Sequence, residues 1–298
     1  MKPSWVARAC TYTTGARIVA VLSLLVVGLP LARAAGEATN SPAGNNMPPW
    51  EKGSIRFGGF ATTFDSSLGF GINNGPTVTI NGENGLGLDT SLAVLRVDAT
   101  YRPGESRRHQ LDFTLISYHR EGQRTLSEEI DLGDQVLPVG ATVNSLFNFE
   151  IIRTTYTYAF LQDDRMRIAM GLGVYIMPIE YGLTVETTGG TSAIEGGNVV
   201  LPLPALAVRT EFLLVPKLYL NIELNLMYAQ YGDFEGSLME NLLGLEYRPW
   251  DHLGFGVAYS GMAVRVAGSA DSSYPGADFV GRVDFQYSGL LLYGKMSF

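Results

Sequence analysis

One set of residues has the types needed to cut a bond. Ser117, His119 and Glu121 supply a hydroxyl, an imidazole and a carboxylate, the groups that serve hydrolases as nucleophile, base and orienting acid. They fall at i, i+2 and i+4, so on a continuous strand they share one face, with Leu111, Phe113 and Leu115. Placed at the outer leaflet of a membrane, such a set would suit hydrolysis of lipid A. Spacing argues against it. Same-face neighbours on one strand lie ~6.5–7 Å apart at Cα, a poor geometry for a linear triad. An amphipathic band where the strand leaves a bilayer is the competing expectation. The other histidines, His109 and His252, sit beside short turns. The three show no zinc-ligand spacing, and the chain has no Gly-x-Ser-x-Gly elbow or phosphate loop. No metal and no cofactor is expected.

A larger set of reactive groups emerges from strict alternation. Arg96, Asp98, Asp112, Arg153, Arg167, Arg209, Glu211, Glu223, Glu246, Arg282 and Asp284 occupy the parity opposite to the apolar residues of their segments. If the apolar parity faces lipid, these groups face a lumen. Both signs are nearly balanced there. Unpaired buried charge is costly, so they are expected to pair as a plug. The alternative is a polar path for ions or a small solute, which would more naturally carry one sign in excess.

The elements that must position these groups are strands. Ten can be marked, at 53–64, 90–102, 108–119, 148–160, 164–180, 202–213, 217–230, 238–248, 252–266 and 279–298. In the second, Leu95, Val97 and Tyr101 share one parity, and Arg96 and Asp98 the other. In the seventh, Leu218, Leu220, Ile222, Leu224 and Leu226 alternate with Tyr219, Asn221, Glu223 and Asn225. Short connections carrying Pro, Gly or Asp follow alternate strands. Longer ones follow the first, third and fifth, including the Asn/Gly-rich stretch 73–84 and the acidic stretch 128–134. Short turns at one end and long loops at the other predict an all-β, transmembrane, antiparallel barrel of about ten strands, with eight or twelve as alternatives. Tyr101, Tyr158, Phe160, Phe212, Tyr247 and Phe298 cluster at one set of strand ends, as an interfacial girdle would. Gly171, Gly173, Gly254 and Gly256 read as small inward positions beneath bulky neighbours. The last strand needs a phase slip at Ser288–Gly289 to keep one face apolar throughout.

The chain ends in Met296-Ser297-Phe298. Met296 and Phe298 lie on the apolar parity of the last strand and read as a signal to a barrel-assembly machinery. At the other end, Lys2, Arg8 and Arg17 precede an apolar run at 18–31 and then Ala32-Arg33-Ala34. This predicts a signal peptide over 1–34, because the run is short of the ~20 residues a spanning helix needs. Residues 35–52 read as a flexible periplasmic lead-in, and 53–298 as the barrel domain. Cys10, the one cysteine, precedes the apolar run. Beyond residue 34 the chain holds 17 basic and 29 acidic residues, a net −12, which excludes an electrostatic case for nucleic acid.

Leu86-Gly87-Leu88-Asp89, Tyr101-Arg102 followed by Arg108-His109, Thr155-Tyr156-Thr157-Tyr158 and Tyr287-Ser288-Gly289 before Phe298 resemble segments of uncharacterised proteobacterial outer-membrane barrel proteins. That resemblance implies a location in the Gram-negative envelope, with outer-membrane lipid and lipopolysaccharide as surroundings, and no activity. The Ser/His/Glu inventory is similar to that of the lipid A deacylase barrels, but their order differs, with His before Ser and the acid on a neighbouring strand. Omptin proteases also use ten strands. They need acidic and Asp-His pairs at the rim, where this sequence offers only Glu128, Glu129, Asp131 and Asp134 in a loop. The expected function is therefore a non-enzymatic barrel, structural or surface-binding, with a closed or narrow lumen. A diffusion channel and an outer-leaflet hydrolase are the alternatives.

Overall fold

The computed structural model describes residues 50–70, 78–127, 129–131, 136–187, 190–231, 234–268 and 281–298. The expected signal peptide and most of the lead-in lie outside the described residues. So do part of the 73–84 stretch, and Glu128 and Asp134.

Among the described residues fourteen strands and one short helix follow in order: β1 (Gly53–Phe70), β2 (Val78–Asn81), α1 (Gly82–Leu86), β3 (Ser91–Tyr101), β4 (His109–Tyr118), β5 (Glu121–Thr125), β6 (Ile130–Asp131), β7 (Val136–Leu137), β8 (Thr142–Gln162), β9 (Met166–Thr187), β10 (Gly190–Val215), β11 (Leu218–Tyr231), β12 (Phe234–Tyr247), β13 (Leu253–Gly268) and β14 (Gly281–Ser297). Twelve form one sheet. In it β2 is a flap on β1, and β5 continues β4 along β8. The remaining ten close into an antiparallel barrel, because β14 pairs with β1 from Ser54↔Ser297 to Gly69↔Arg282. Beyond that register the Gly53 and Phe298 amides each donate to the other's carbonyl at 2.9 Å. Closure leaves no edge strand within the ten-stranded ring, the condition for strands in hydrocarbon.

Outward residues form the apolar band. Leu111, Phe113 and Leu115 of β4, Met170, Leu172, Val174 and Ile176 of β9, and Leu290, Leu292 and Met296 of β14 are all exposed. On β4 the band runs from His109 to Ser117, about 20 Å at a 40° tilt. Tyr101, Tyr156, Tyr158, Phe160, Tyr247 and Phe298 are exposed at the end where Gly53 and Phe298 meet, here the near end.

Two expectations about the strands are corrected. Of the stretch 181–201, expected as a loop, residues 181–187 and 190–201 are strand. β9 and β10 stay paired from Thr187↔Gly190 inward, with one register shift between Ala193 and Glu195. The strand β8 likewise begins at Thr142 rather than 148. These residues lack an apolar outward face because they stand in water beyond the band, as Glu180, Thr184 and Glu186 show. β-branched residues still favour strand there. The phase slip at Ser288–Gly289 is absent. Pairing of β14 with β1 and with β13 runs through both residues without a shift. Gly289 is an inward residue, and a Cβ there would lie 2.0 Å from the Ala61 carbonyl oxygen. It serves close strand approach rather than a bulge.

Candidate functional site

The lumen is the place where chemically capable side chains converge, and it has two storeys. The near storey is ionic. At its mouth Trp50 is 1% exposed, its indole N–H donates to the Asp163 carbonyl at 3.0 Å, and it meets Tyr219 edge-on at 6.2 Å. Beside it Glu51 pairs with Lys295 at 2.6 Å, Arg248 at 2.8 Å and Arg102 at 3.3 Å. Burial alone would raise the Glu51 carboxyl, but Lys295, Arg248 and Arg102 outweigh it and hold it well below the usual carboxylate range. Glu246 takes Arg248 at 2.5 Å and Lys295 at 3.0 Å, and Arg248 stacks over the Tyr219 ring at 3.8 Å. Trp50 and Glu51, placed by sequence in a flexible lead-in, thus pack into the barrel mouth, since an indole and a carboxylate both find buried partners there.

Above the mouth the charges interlock. Arg102 and Arg167 share Glu211 at 2.5 and 3.5 Å. Arg209 reaches Asp112 at 3.4 Å, and Arg56 reaches Glu223 at 2.8 Å. Arg153 bridges Glu240 at 2.5 Å and Glu223 at 3.2 Å. Arg96 bridges Asp98 at 3.1 Å and Glu240 at 3.5 Å. A cavity of about 30 Å³ remains among Arg56, Asp112, Arg209, Glu223 and their neighbours, room for about one water.

Of the sequence-derived lumen set, Arg96, Asp98, Asp112, Arg153, Arg167, Arg209, Glu211, Glu223 and Glu246 lie in this storey. Arg282 and Asp284 do not. Without the phase slip their parity is outward; their side chains are 43% and 29% exposed, and Asp284 pairs with Arg265 at 2.7 Å on the surface. Reasoning from sequence missed Arg56, Glu240 and Lys295, although alternation with Phe57, Met239 and Met296 marks all three as inward. It also missed Arg102 and Arg248, although they end the expected strands 90–102 and 238–248 on the inward parity, and Glu51, which lies just outside the strands, where parity gives no signal.

The far storey is apolar and went unforeseen. Tyr118 stacks on Phe149 at 4.7 Å, Phe64 meets Tyr118 edge-on at 5.2 Å, and Phe285 lies 4.9 Å from Phe149. Phe60, Phe147, Ile116, Ile151 and Met177 complete a buried cluster. The helix α1 closes its far end. Asn81 caps it by accepting from the Asn84 amide at 2.6 Å, and Gly87 ends it at φ 73, a left-handed conformation suited to glycine. Leu86 and Leu88 are buried in the cluster. Glu83 accepts from Arg120 at 2.5 Å and from the Ser66 amide and hydroxyl at 2.9 and 2.7 Å. Burial pushes the Glu83 carboxyl up, but the Ser66 and Arg120 bonds prevail and lower it.

Ser117, His119 and Glu121 all point outward, and the strand is interrupted at His119–Arg120. Among the described residues no hydrogen bond or ion pair joins the three; Ser117 lies opposite Glu150 of β8. His109 shares a hydrogen bond with the Tyr156 hydroxyl at 2.7 Å, and the His252 ring donates to the Ser297 carbonyl at 2.9 Å. Among the described residues no group of three or more His, Cys, Asp or Glu is placed to hold a metal ion. Gly256 sits under Tyr293, whose ring carbon lies 2.2 Å from where a Cβ would be.

No family model and no curated protein matches this chain. Solved structures resemble it in fold. The outer membrane protease OmpT from Escherichia coli is 9% identical with a TM-score of 0.48, over 87% of this chain and 100% of its own. The P. putida toluene transporter TodX is 7% identical with a TM-score of 0.33, over 85% and 93%. The outer membrane protein OprG from Pseudomonas aeruginosa is 13% identical with a TM-score of 0.30, over 83% and 96%. Values this low bring no activity with them.

Proposed function

We propose that this chain is a sealed, non-enzymatic barrel of a bacterial outer membrane, acting through its outward and far-end surfaces rather than by transport or catalysis. The near end would face the periplasm and the far end the outside, after export and removal of the signal peptide and insertion by the barrel-assembly machinery. The observation that carries this reading is the filled lumen. An ionic storey and an aromatic storey stand in series, with a cavity of about 30 Å³ in the ionic one. The outward, unconnected placement of Ser117, His119 and Glu121 weighs against the hydrolase. Planar-bilayer recording tests the reading directly. The intact protein should give no steady conductance, and replacing Arg153 by alanine should give intermittent openings. A large stable conductance from the unmodified protein would establish the channel alternative instead.

A further inference from the structure

The far ends of β8 and β9 stand clear of the apolar band, and their outward face, with β5 beside β8, is hollowed. A trough of about 580 Å³ crosses it, lined by Gly87, Asp89, residues 121–123 and 144–146, Gly182 and Thr184. Gly182 lowers its floor, and among the described residues Leu146 is its one large apolar side chain. The rim is a relay of amides and a carboxylate. Gln123 donates to the Asn144 carbonyl oxygen at 2.9 Å, and Asn144 donates to Glu186 at 3.1 Å. Each amide thereby spends one N–H and keeps another. Glu186 keeps its second oxygen, and Glu121, Asp89 and the Thr184 hydroxyl add further groups. Adjacent donors and acceptors of this kind match the paired hydroxyls of a sugar. Among the described residues no Lys, Arg or aromatic residue lines the trough. It is therefore unsuited to bind phosphate or to stack a flat ring.

Height narrows the source. The outward row of β8 changes from Ile152 to Glu150, and that of β9 from Pro178 to Glu180. The trough begins about four residues further on, some 10 Å beyond the hydrocarbon at the strand tilt of a barrel. That is just above the phospholipid headgroup layer, which adds about 5–8 Å to each face of the core, and so at the level of sugars carried by a lipid. The trough also opens sideways along the membrane plane, because it lies on the outward face. We propose that it binds the headgroup sugars of an outer-leaflet glycolipid through their hydroxyls, independently of phosphate. This rests on the reading that the far end lies outside the cell.

Gly182 permits a test that spares the fold. A Cβ there meets nothing nearer than the Leu146 Cβ at 3.8 Å, so Gly182→Trp fills the trough without forcing the backbone. Folded protein in detergent would be titrated with lipopolysaccharide carrying only its inner-core sugars, with the same material after dephosphorylation, with the free core oligosaccharide, and with sugar-free phospholipid. The expected result is equal binding of the first two, at least tenfold weaker binding of the last two, and at least a tenfold loss on Gly182→Trp with the heat-modifiable folded band unchanged. Asn144→Ala, an outward substitution, should lose severalfold and serves if the tryptophan variant misfolds. Unchanged binding in the variants, a need for phosphate, or equal binding of the free oligosaccharide would overturn the proposal. Labelling Thr184→Cys on intact cells with an impermeant maleimide separates the two readings. Labelling without sugar binding defeats only the trough, whereas a protected cysteine defeats the orientation and the trough with it.

Discussion

Replacing Arg153 by methionine tests whether the near storey is dry. Arg153 is fully buried and holds Glu240 at 2.5 Å, Glu223 at 3.2 Å and the Thr114 hydroxyl at 2.8 Å. Two unit charges about 4 Å apart attract by about 4 kcal/mol at an effective dielectric near 20. Breaking a buried pair typically costs about 3–5 kcal/mol, because the partner is left uncompensated. Here the orphaning is incomplete. Glu240 retains Arg96 at 3.5 Å and a bond from Asn225 at 3.2 Å, and Glu223 retains Arg56 at 2.8 Å. The expected loss is therefore at the lower end, about 3 kcal/mol. Glu240→Gln should cost a similar amount by leaving Arg96 and Arg153 in excess. Joined in one chain, the two substitutions restore neutrality and should cost about 2 kcal/mol less than their sum, a coupling within the range for contacting residues. Reversible urea unfolding in phospholipid vesicles, followed by tryptophan emission, measures all four corners of the cycle. Single losses below about 1 kcal/mol, the value for solvated pairs, would refute the dry storey and the sealed barrel with it.

Deleting Phe298 should lower the folded yield in the outer membrane far more than synthesis. It removes both 2.9 Å bonds to Gly53 and the ring that covers it; equal heat-modifiable bands would contradict this. Gly256→Leu should cost about 1–3 kcal/mol by overpacking, since Tyr293 would have to leave Glu246, its partner at 3.0 Å; an unchanged urea midpoint would show that the ring has room to move. The Glu51 latch should respond to acid. Its folded-state carboxyl is depressed, so its contribution is fully present above the ordinary carboxylate value of about 4.3 and is lost as pH falls through the depressed value. Trp50 emission should hold steady from about pH 5 to 8 and shift only in stronger acid, whereas Glu51→Gln should show the shifted spectrum already at pH 7. A parent protein that changes between pH 5 and 8 would place the control elsewhere.

Alternation made the band legible. Leu218 to Leu226 against Tyr219 to Asn225 has a period no helix shares, and the structure sets the same residues on opposite faces. Closure was legible from connection lengths. The extension of β8, β9 and β10 was not, because a strand beyond the bilayer loses the apolar face by which it is recognised, as Glu180 and Thr184 do. Arg282 and Asp284 were misplaced for a related reason. Gln286 and Ser288 are outward but polar, so the run seemed to change phase, when it had only passed out of the hydrocarbon. The aromatic storey escaped notice because Phe64, Tyr118, Phe149 and Phe285 each sit among polar neighbours in sequence. Parity says that such rings face inward, not that strands far apart in the chain aim them at one another.

The order of the storeys decides what the barrel can admit. An ion entering from the near end would meet paired charges whose partners are already taken, and then a stretch lined by Phe64, Phe149 and Phe285 that offers no replacement for its water. Burying an unpaired charge there is prohibitive. A hydrocarbon entering from the far end would find apolar walls, but would stop at Arg96, Arg153 and Glu240, whose separation costs several kcal/mol. Each storey rejects what the other tolerates, and Trp50 with Glu51 at one mouth and α1 at the other close both approaches. On the sealed-barrel reading proposed above, the outside of the molecule is left to act. There the outward face of β8 and β9 departs from the apolar band, and Gly182, the amides and the carboxylates lie just above the phospholipid headgroups, where a glycolipid carries its sugars.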